Sequence, residues 1–117
     1  MSDGCLFCRI VRGEIPAAIV ARSARAIAFR DIAPAAPVHV LVIPTAHLGS
    51  LDAALECEAP GALLGELLVL AHQVAVQEGV ADSGYRVVTN TNADGGQSVA
   101  HLHFHVLGGR PMRWPPG

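Results

Sequence analysis

The sequence predicts an α+β domain in which an antiparallel sheet packs against one principal helix. Five short apolar or β-branched runs are bounded by proline, glycine and small polar residues, which is typical of strands. One longer amphipathic run begins with a proline and ends at a glycine, as helices commonly do. The chain has 117 residues, a length that suits a single domain over residues 1–117.

The first third of the chain predicts a short helix followed by a hairpin. A helical pattern over Leu6–Arg12 ends at Gly13, and Pro16 follows shortly after it. Two apolar runs, Ile19–Arg22 and Ala26–Arg30, are separated by three residues. This spacing favours two hairpin strands.

The middle of the chain supplies the clearest strand and the one long helix. Val38–Pro44 is almost continuously apolar, which predicts a central strand covered on both faces. Pro60–Glu78 is the predicted helix, and its apolar residues at helical spacing form two neighbouring stripes: Leu63, Leu67, Leu70 and Val74 in one, and Leu64, Leu68, Ala71 and Ala75 in the next. Gly65 inside this helix costs about 1 kcal/mol relative to alanine. Either neutral drift or the close approach of a second helix across a dimer interface explains it.

The last two strands are predicted over Tyr85–Thr91 and Val99–Leu107, and the second carries three of the six histidines of the chain. Because successive side chains of a strand point to opposite faces, His101, His103 and His105 are expected to share one face. The apolar residues that alternate with them are expected to enter the core: Leu102, Phe104 and Val106. A helix would put His103 opposite the other two, so three imidazoles on one strand face predict a functional site.

The composition of the chain indicates which partners and which location to expect. Hydrophobic residues make up 51% of the chain and charged residues 15%, so we expect an exposed apolar surface that a homodimer covers. The net charge of −2 does not favour nucleic acid or an anionic membrane, and no apolar run approaches the roughly 18 residues of a membrane helix. Residues 1–4 lack the features of a secretory signal, and three cysteines are an odd number for a disulfide framework. A cytoplasmic protein is therefore expected.

A loop rich in backbone donors precedes the histidine strand. Residues 94–98 read Asp-Gly-Gly-Gln-Ser, and the glycines can adopt the positive φ with which N–H groups converge on an anion. Gln97 and Ser98 add side-chain donors. A phosphate bound there would lie over the histidines, where a neutral imidazole is a competent nucleophile and a second histidine can supply a proton.

The segment His101-Leu-His103-Phe-His105-Val-Leu fits the motif His-φ-His-φ-His-φ-φ, in which φ is apolar. With this motif the chain resembles the histidine triad (HIT) nucleotide-binding family. The similarity extends from Phe7 through Gly-Glu-Ile-Pro16 and the Asp-Gly-Gly-Gln-Ser loop to the Trp-Pro-Pro-Gly ending. Leu-Gly-Gly-Arg110 and this ending resemble the purine nucleoside phosphoramidase branch rather than the dinucleoside polyphosphate hydrolases.

The resemblance implies a HIT-like fold with a five-stranded antiparallel sheet, one long helix and a short N-terminal helix, in a two-fold homodimer. It implies a hydrolase that cleaves adenosine 5′-monophosphoramidate-type P–N bonds, and acyl-adenylates in addition, through a covalent nucleotidyl-histidine, releasing AMP. A purine nucleotide is then the partner, and catalysis requires no cofactor.

The resemblance also implies a role for each site residue. His103 is the expected nucleophile, and His105 is expected to stabilise charge on the phosphate. His39 would orient the nucleophile or relay its proton, and Ser98 would contact the leaving group. The rest of the nucleotide-binding set divides by role. The apolar walls around the purine are Phe7, Ile10, Phe29 and Ile32, and Asp31 contacts the ribose. Asn90 contacts the phosphate or ribose side, and Gly96 and Gln97 belong to the phosphate loop. Pattern alone also fits a core histidine paired with a carbonyl at position 39, ordinary core residues at 29 and 32, and a turn or strand-end asparagine at 90.

A structural zinc ion is the one metal that the resemblance implies. Cys5 and Cys8, in a C-x-x-C spacing, are expected to join His47 and His101 in a tetrahedral site. His101 would then tether the N-terminal segment and would not itself be catalytic. Otherwise both thiols are free, and Cys57 lies outside the set in either case.

Three alternatives stay open. The three motif histidines could bind a catalytic zinc ion in a metal hydrolase, although the sequence shows no evident carboxylate nearby that would orient these ligands through a hydrogen bond. The chain could be a nucleotide-responsive binding or scaffold module with little catalysis. Within the same family, dinucleoside polyphosphate hydrolysis is the alternative reaction.

Overall fold

The computed structural model describes residues 4–117. The expectation that the N-terminus is not a secretory signal concerns residues 1–4, and residues 1–3 lie outside the described part. The helices are α1 (Leu6–Val11), α2 (Leu51–Leu55) and α3 (Pro60–Gln77). The strands are β1 (Ile19–Arg22), β2 (Ala26–Arg30), β3 (Val38–Pro44), β4 (Tyr85–Val88) and β5 (Phe104–Gly108). The predicted short helix, hairpin, central strand and long helix are confirmed to within one residue at each end.

The strands form one sheet in the order β1-β2-β3-β5-β4, and every neighbouring pair is antiparallel. β3 is the central strand, and its Leu41 lies opposite Phe29 on one side and His105 on the other. All of β3 except Val38 is buried, as the continuous apolar run predicts. The α+β class with a five-stranded antiparallel sheet is confirmed.

The two faces of the sheet are covered by different helices. α3 covers one face, where its leucines pack with Val40 and Val106 of the sheet. The first predicted apolar stripe of the helix is buried throughout: Leu63, Leu67, Leu70 and Val74. In the second stripe Ala71 and Ala75 are buried, whereas Leu68 is 48% exposed. α1 covers the other face, where Phe7 and Ile10 pack with Phe29 and other apolar residues of the sheet. The histidine face is therefore enclosed between the sheet and α1.

The predicted fifth strand is wrong in its first half, because β5 begins at Phe104 and not at Val99. Upstream, the backbone bonds to loops instead of the sheet: Leu102 N–H donates to the carbonyl of Leu48 over 2.6 Å. The carbonyl of His103 accepts from the Thr89 hydroxyl over 2.9 Å.

The alternation of side chains nevertheless persists through this irregular segment. Leu102, Phe104 and Val106 are buried in the cluster under α3, as predicted. His101 and His103 are almost completely buried, with 0% and 3% of their surface exposed. The side chains thus keep a two-residue alternation from His101 to Val106, although the backbone bends at residues 99–101 and forms no ladder before Phe104.

Two further elements differ from the prediction. β4 ends at Val88, three residues before the predicted end. α2 was not predicted; Ser50 begins it, and its hydroxyl accepts from Ala53 N–H over 3.4 Å. Within residues 4–117, no helix is both long and apolar enough to span a membrane.

Candidate active site

A cavity of about 290 Å³ opens between α1 and the irregular segment before β5. Two of the motif histidines, His103 and His105, line it together with Asp31 and Ser98. The apolar part of its wall comes from α1, β2 and the loops beside them, including Phe7, Ile10, Phe29 and Ile32. Eight residues predicted for the nucleotide site thus meet at one cavity.

The ring of His103 is held in one orientation by the backbone carbonyl of His101. Its Nδ1 lies 2.7 Å from the carbonyl oxygen of His101, and a carbonyl can only accept, so Nδ1 carries the proton. The ring of Phe7 packs edge-on against it, with centroids 5.2 Å apart. In the neutral imidazole, Nε2 is therefore the unprotonated nitrogen with a lone pair to offer.

The ring of His39 has the opposite arrangement. Its Nδ1 accepts from the backbone N–H of Ala35 over 3.0 Å, so its proton is on Nε2. That Nε2 lies 2.9 Å from Nδ1 of His105, which must then be an acceptor. His105 consequently carries its proton on Nε2. His39 is bonded to an N–H and a second histidine, so the alternative of a core histidine paired with a carbonyl is wrong.

The two neighbouring histidines therefore present different groups. The centroids of His103 and His105 are 5.0 Å apart, yet one offers a lone pair at Nε2 and the other an N–H. Burial, then the nearby rings of His103 and His39, lower the pKa of His105 to about 4. Burial likewise lowers the pKa of His39, against an opposing effect of Asp31. Both members of the His39–His105 pair are neutral at pH 7, so these proton positions hold there.

Asp31 occupies the rim of the cavity next to this pair. Its Oδ1 accepts from Ala33 N–H over 2.8 Å, which fixes the carboxylate at the start of the loop after β2. Its Oδ2 lies 3.4 Å from Nε2 of His39. The carboxylate thus faces both the cavity and the histidine pair. Its place at the nucleotide site was predicted, whereas its contact with His39 was not.

The apolar wall combines core residues and surface residues. Phe29 is 4% exposed and belongs to the core cluster under α1 as well as to the cavity. Ile32 is 98% exposed at the rim, so the alternative of an ordinary core residue is wrong for it. Sequence reasoning did not assign Ile15 and Pro16 to the site, although both line the cavity. Their signal was the Gly-Glu-Ile-Pro segment quoted for the family resemblance.

The glycine loop does not offer all the predicted donors, and neither Gly96 nor Gln97 lines the cavity of His103. Gly96 has φ +79°, as expected, whereas a Cβ on Gly95 would lie 2.4 Å from the carbonyl oxygen of Thr91. The N–H groups of Gly96 and Gln97 are both used within the turn. The Gln97 amide donates to two backbone carbonyls over 2.6 and 3.0 Å. Gln97 therefore builds the loop, and its expected side-chain contact to phosphate is not available in this arrangement.

Ser98 and Asn90 lie in different places. Ser98 is exposed and lines the cavity of His103. Asn90 lines a neighbouring cavity of about 500 Å³, which His39 and His105 share. Of the two histidines, His105 lines both cavities, whereas His39 and Asn90 line only the second.

The residues predicted to bind zinc come together at the N-terminus of α1. Nδ1 of His101 lies 3.4 Å from Sγ of Cys5 and 3.5 Å from Sγ of Cys8, and Nδ1 of His47 lies 3.2 Å from Sγ of Cys8. The four ligand atoms all lie within 4.8 Å of one another. Zn–S and Zn–N bonds of about 2.3 and 2.0 Å place neighbouring S and N ligands roughly 3.5 Å apart in a tetrahedron. The donor set and its spacing therefore fit a zinc ion.

The three motif histidines do not converge on one point. Nε2 of His101 donates to the carbonyl oxygen of Pro44 over 3.0 Å, and its other nitrogen faces the thiols. Nδ1 of His103 is held by a carbonyl. The alternative of a catalytic zinc ion bound by all three histidines is wrong, because their free ring nitrogens face different sites.

The chain is similar to known proteins over most of its length. The HIT domain family matches residues 12–112. The purine nucleoside phosphoramidase of Escherichia coli is 44% identical over 113 residues, which are 96% of this chain and 92% of that protein. An uncharacterized HIT-like protein of Synechococcus elongatus is 51% identical over the full length of both chains.

Solved structures agree with this similarity. The crystal structure of a HIT family hydrolase from Legionella pneumophila superposes with a TM-score of 0.91 at 47% identity and covers 97% of this chain and 99% of that one. A HIT family hydrolase from Clostridium thermocellum gives a TM-score of 0.87 at 42% identity, with 95% of each chain covered. With the histidine motif, the sheet order and these similarities in agreement, the chain belongs to the HIT domain family.

Proposed function

We propose that the chain is a hydrolase of purine nucleoside 5′-phosphoramidates that releases AMP and an amine. The observation that carries this proposal is the pair of adjacent histidines with opposite functions, an Nε2 lone pair on His103 and an Nε2–H on His105, at one cavity. The similarity to the phosphoramidase of Escherichia coli supports the substrate class.

The cavity suits one nucleoside. Its volume of about 290 Å³ is near the lower end of small-molecule sites, and its wall is mainly apolar. We place the purine between Phe7, Ile10, Phe29 and Ile32, and the ribose at Asp31, because one carboxylate can accept from both ribose hydroxyls. This size favours a nucleoside monophosphoramidate over a dinucleoside polyphosphate, whose second nucleoside would have to lie outside.

The first chemical step is the proposed attack on phosphorus. His103 donates the Nε2 lone pair to the α-phosphorus, and the P–N bond breaks with its electron pair on the departing nitrogen. That nitrogen takes one proton, which comes from solvent through the hydroxyl of Ser98 at the exposed rim. Nδ1 of His103 keeps its proton, so the product is a nucleotidyl-imidazolium whose positive charge faces the carbonyl of His101.

The second step returns the enzyme to its starting state. Water attacks the phosphorus, the P–Nε2 bond breaks with its electrons on His103, and AMP and one proton leave. Throughout, the Nε2–H of His105 donates to a phosphate oxygen and stabilises the negative charge that develops there. His39 keeps this donor in place, because its own Nε2–H occupies Nδ1 of His105. The same two steps apply to the P–O bond of an acyl-adenylate.

Turnover of adenosine 5′-monophosphoramidate tests this proposal. We expect AMP release by the wild type and a loss of at least about 10³-fold in His103→Ala, as for removal of other covalent nucleophiles. His72→Ala is the matched control, since His72 is an exposed histidine of α3 that bonds Tyr85. AMP release that survives His103→Ala would refute the covalent mechanism. Nucleotide binding without turnover would favour a binding module, and faster cleavage of a diadenosine polyphosphate would favour the other family reaction.

We further propose that Cys5, Cys8, His47 and His101 hold a structural zinc ion. When bound, zinc would supply a cross-link between the N-terminus of α1, the end of β3 and the segment before β5. Nε2 of His101 already donates to Pro44, so its Nδ1 lone pair is directed at the thiols. The cross-link would steady both Phe7 and the carbonyl that orients His103, without contact between metal and substrate.

A homodimer is the proposed assembly. Leu68, Val69 and Val76 are exposed on α3 by 48%, 57% and 56%. A Cβ at Gly65 would meet no atom within 4 Å, so this glycine faces outward and leaves room for a second helix. A two-fold contact between α3 helices would cover this apolar surface and explain the glycine.

A further inference from the structure

The segment after β5 is connected to the histidine pair by a chain of hydrogen bonds. The guanidinium of Arg110 donates to the carbonyl oxygen of Ala35 from Nη2 over 3.0 Å and from Nε over 3.4 Å. The N–H of the same Ala35 donates to Nδ1 of His39 over 3.0 Å. Arg110 therefore holds the carbonyl of Ala35, and the N–H of Ala35 fixes the proton position of His39.

The local backbone brings the two segments together. Gly109 has φ +89°, and a Cβ there would lie 2.8 Å from Cβ of Pro37. Only glycine permits both the conformation and the close approach. The loop that holds Ala35 contains Pro34 and Pro37, which have no N–H and cannot contribute donors of their own. The loop also has internal bonds, such as that from Ala33 N–H to Asp31, and Arg110 adds the side-chain donors that hold the carbonyl of Ala35.

We propose that Arg110 is a positioning residue that fixes the tautomer of His39 and, through it, that of His105. With Ala35 held, Nδ1 of His39 must accept, and its proton must lie on Nε2. Nδ1 of His105 must then accept and Nε2 must donate. Without Arg110, the carbonyl of Ala35 loses its side-chain donors, and the N–H of Ala35 is no longer fixed on Nδ1 of His39. Asp31 Oδ2, 3.4 Å from Nε2, then remains as the contact that favours a proton on Nε2 of His39. The proton divides between the two nitrogens, so the His105 Nε2–H is present only part of the time.

The expected effect of Arg110 on kcat rests on the proposed function, whereas its effect on the tautomers of His39 and His105 does not. Arg110 lies outside the cavity of His103, and Ala35 lies between it and the histidines. Its loss should therefore lower kcat more than it raises KM. It should also change the proton positions of two histidines that it does not touch.

Long-range ¹⁵N–¹H spectra of the imidazole rings, recorded on the full chain near pH 7, test the inference directly. In the wild type we expect Nδ1 of His39 and Nδ1 of His105 to be unprotonated. In Arg110→Gln we expect a mixture of tautomers at both rings and, if the proposed function is correct, a fall in kcat of about 10-fold with KM changed by less than about 2-fold.

Arg86→Gln is the matched control, because Arg86 lines the same neighbouring cavity and donates to a tail carbonyl, that of Arg113, over 2.8 Å. It removes the same charge and should leave the tautomers unchanged. Ala35→Pro is the second variant should Arg110→Gln fail to fold, since it deletes the N–H donor itself and should produce the same mixture. Wild-type tautomers in folded Arg110→Gln, or in Ala35→Pro where Arg110→Gln does not fold, would overturn the inference. Equal mixtures in Arg110→Gln and Arg86→Gln would overturn it as well. Altered tautomers with no turnover in any variant would refute only the proposed function.

Discussion

The Nδ1–H of His103 and the carbonyl oxygen of His101 are 2.7 Å apart, so the first histidine of the motif orients the second through its backbone. The side chain of His101 meanwhile faces Cys5 and Cys8. One residue thus serves two sites at once: its carbonyl belongs to the proposed nucleophile and its ring to the proposed metal. Of the three motif histidines, only His103 and His105 line the cavity.

Replacement of His105 tests its assignment as a hydrogen-bond donor. His105→Ala removes the Nε2–H, and we expect kcat to fall by about 10²–10³-fold, as for the loss of one preorganised donor to an oxyanion. His105→Gln can direct an amide N–H to the same place and should retain more activity. Steady-state kinetics with a phosphoramidate substrate measures both. Equal activity of the two variants would contradict the donor role.

The titration of His105 should be strongly displaced. Burial and the neighbouring rings lower its pKa to about 4, compared with about 6.5 in the unfolded chain. Between these values the unfolded state binds the proton and the folded state does not, so the free energy of unfolding falls as the pH drops through this range. His105→Asn should make the stability less dependent on pH between 6.5 and 4. An NMR titration that gives His105 a pKa near 6.5 would contradict the buried, neutral pair.

Metal analysis with cysteine variants tests the zinc proposal. The purified wild type should contain about one zinc per chain, and Cys8→Ser should lose it and unfold at a lower temperature, because a ligand that binds only the folded state stabilises it. Cys57→Ser is the matched control, since its Sγ lies 3.9 Å from the carbonyl of Ala53 and outside the cluster. Equal zinc content in the two variants would refute the assignment.

Light scattering of a helix-surface variant tests the homodimer. Val69→Glu puts a charge in the centre of the exposed apolar surface of α3, and we expect it to halve the molar mass of the wild type. Ile32→Glu is the control, because Ile32 is 98% exposed at the cavity rim and away from α3. A wild type that already has the mass of one chain would contradict the dimer.

The fold was predictable because its main signals are local. Proline at the start of α3, glycine after it, and the apolar run of β3 set these elements within one residue of the prediction. β5 was predicted too long because its period-two pattern continues into residues 99–103, where the backbone bends and bonds to loops. Periodicity reports which side a residue faces, not which backbone it pairs with.

The candidate site was predictable in its residue set but not in its proton positions. The motif and the resemblance gave His39, His103 and His105, yet their tautomers depend on Ala35 and a carbonyl that no spacing rule identifies. Gln97 was expected to bind phosphate because an amide in a glycine loop is a ready donor. Its two N–H groups are instead used by backbone carbonyls, one of them 48 residues away in sequence. Such long-range hydrogen bonds are visible only in the folded chain.

The most direct test of the account is the identification of the covalent intermediate. The wild type is mixed with an adenosine phosphoramidate, quenched within the first turnovers while the nucleotidyl-enzyme is present, and digested under conditions that preserve P–N bonds. Mass spectrometry should find one AMP group on His103 and none in His103→Ala. Rapid AMP release with no adduct on any histidine, or with the adduct on His105, would contradict the account.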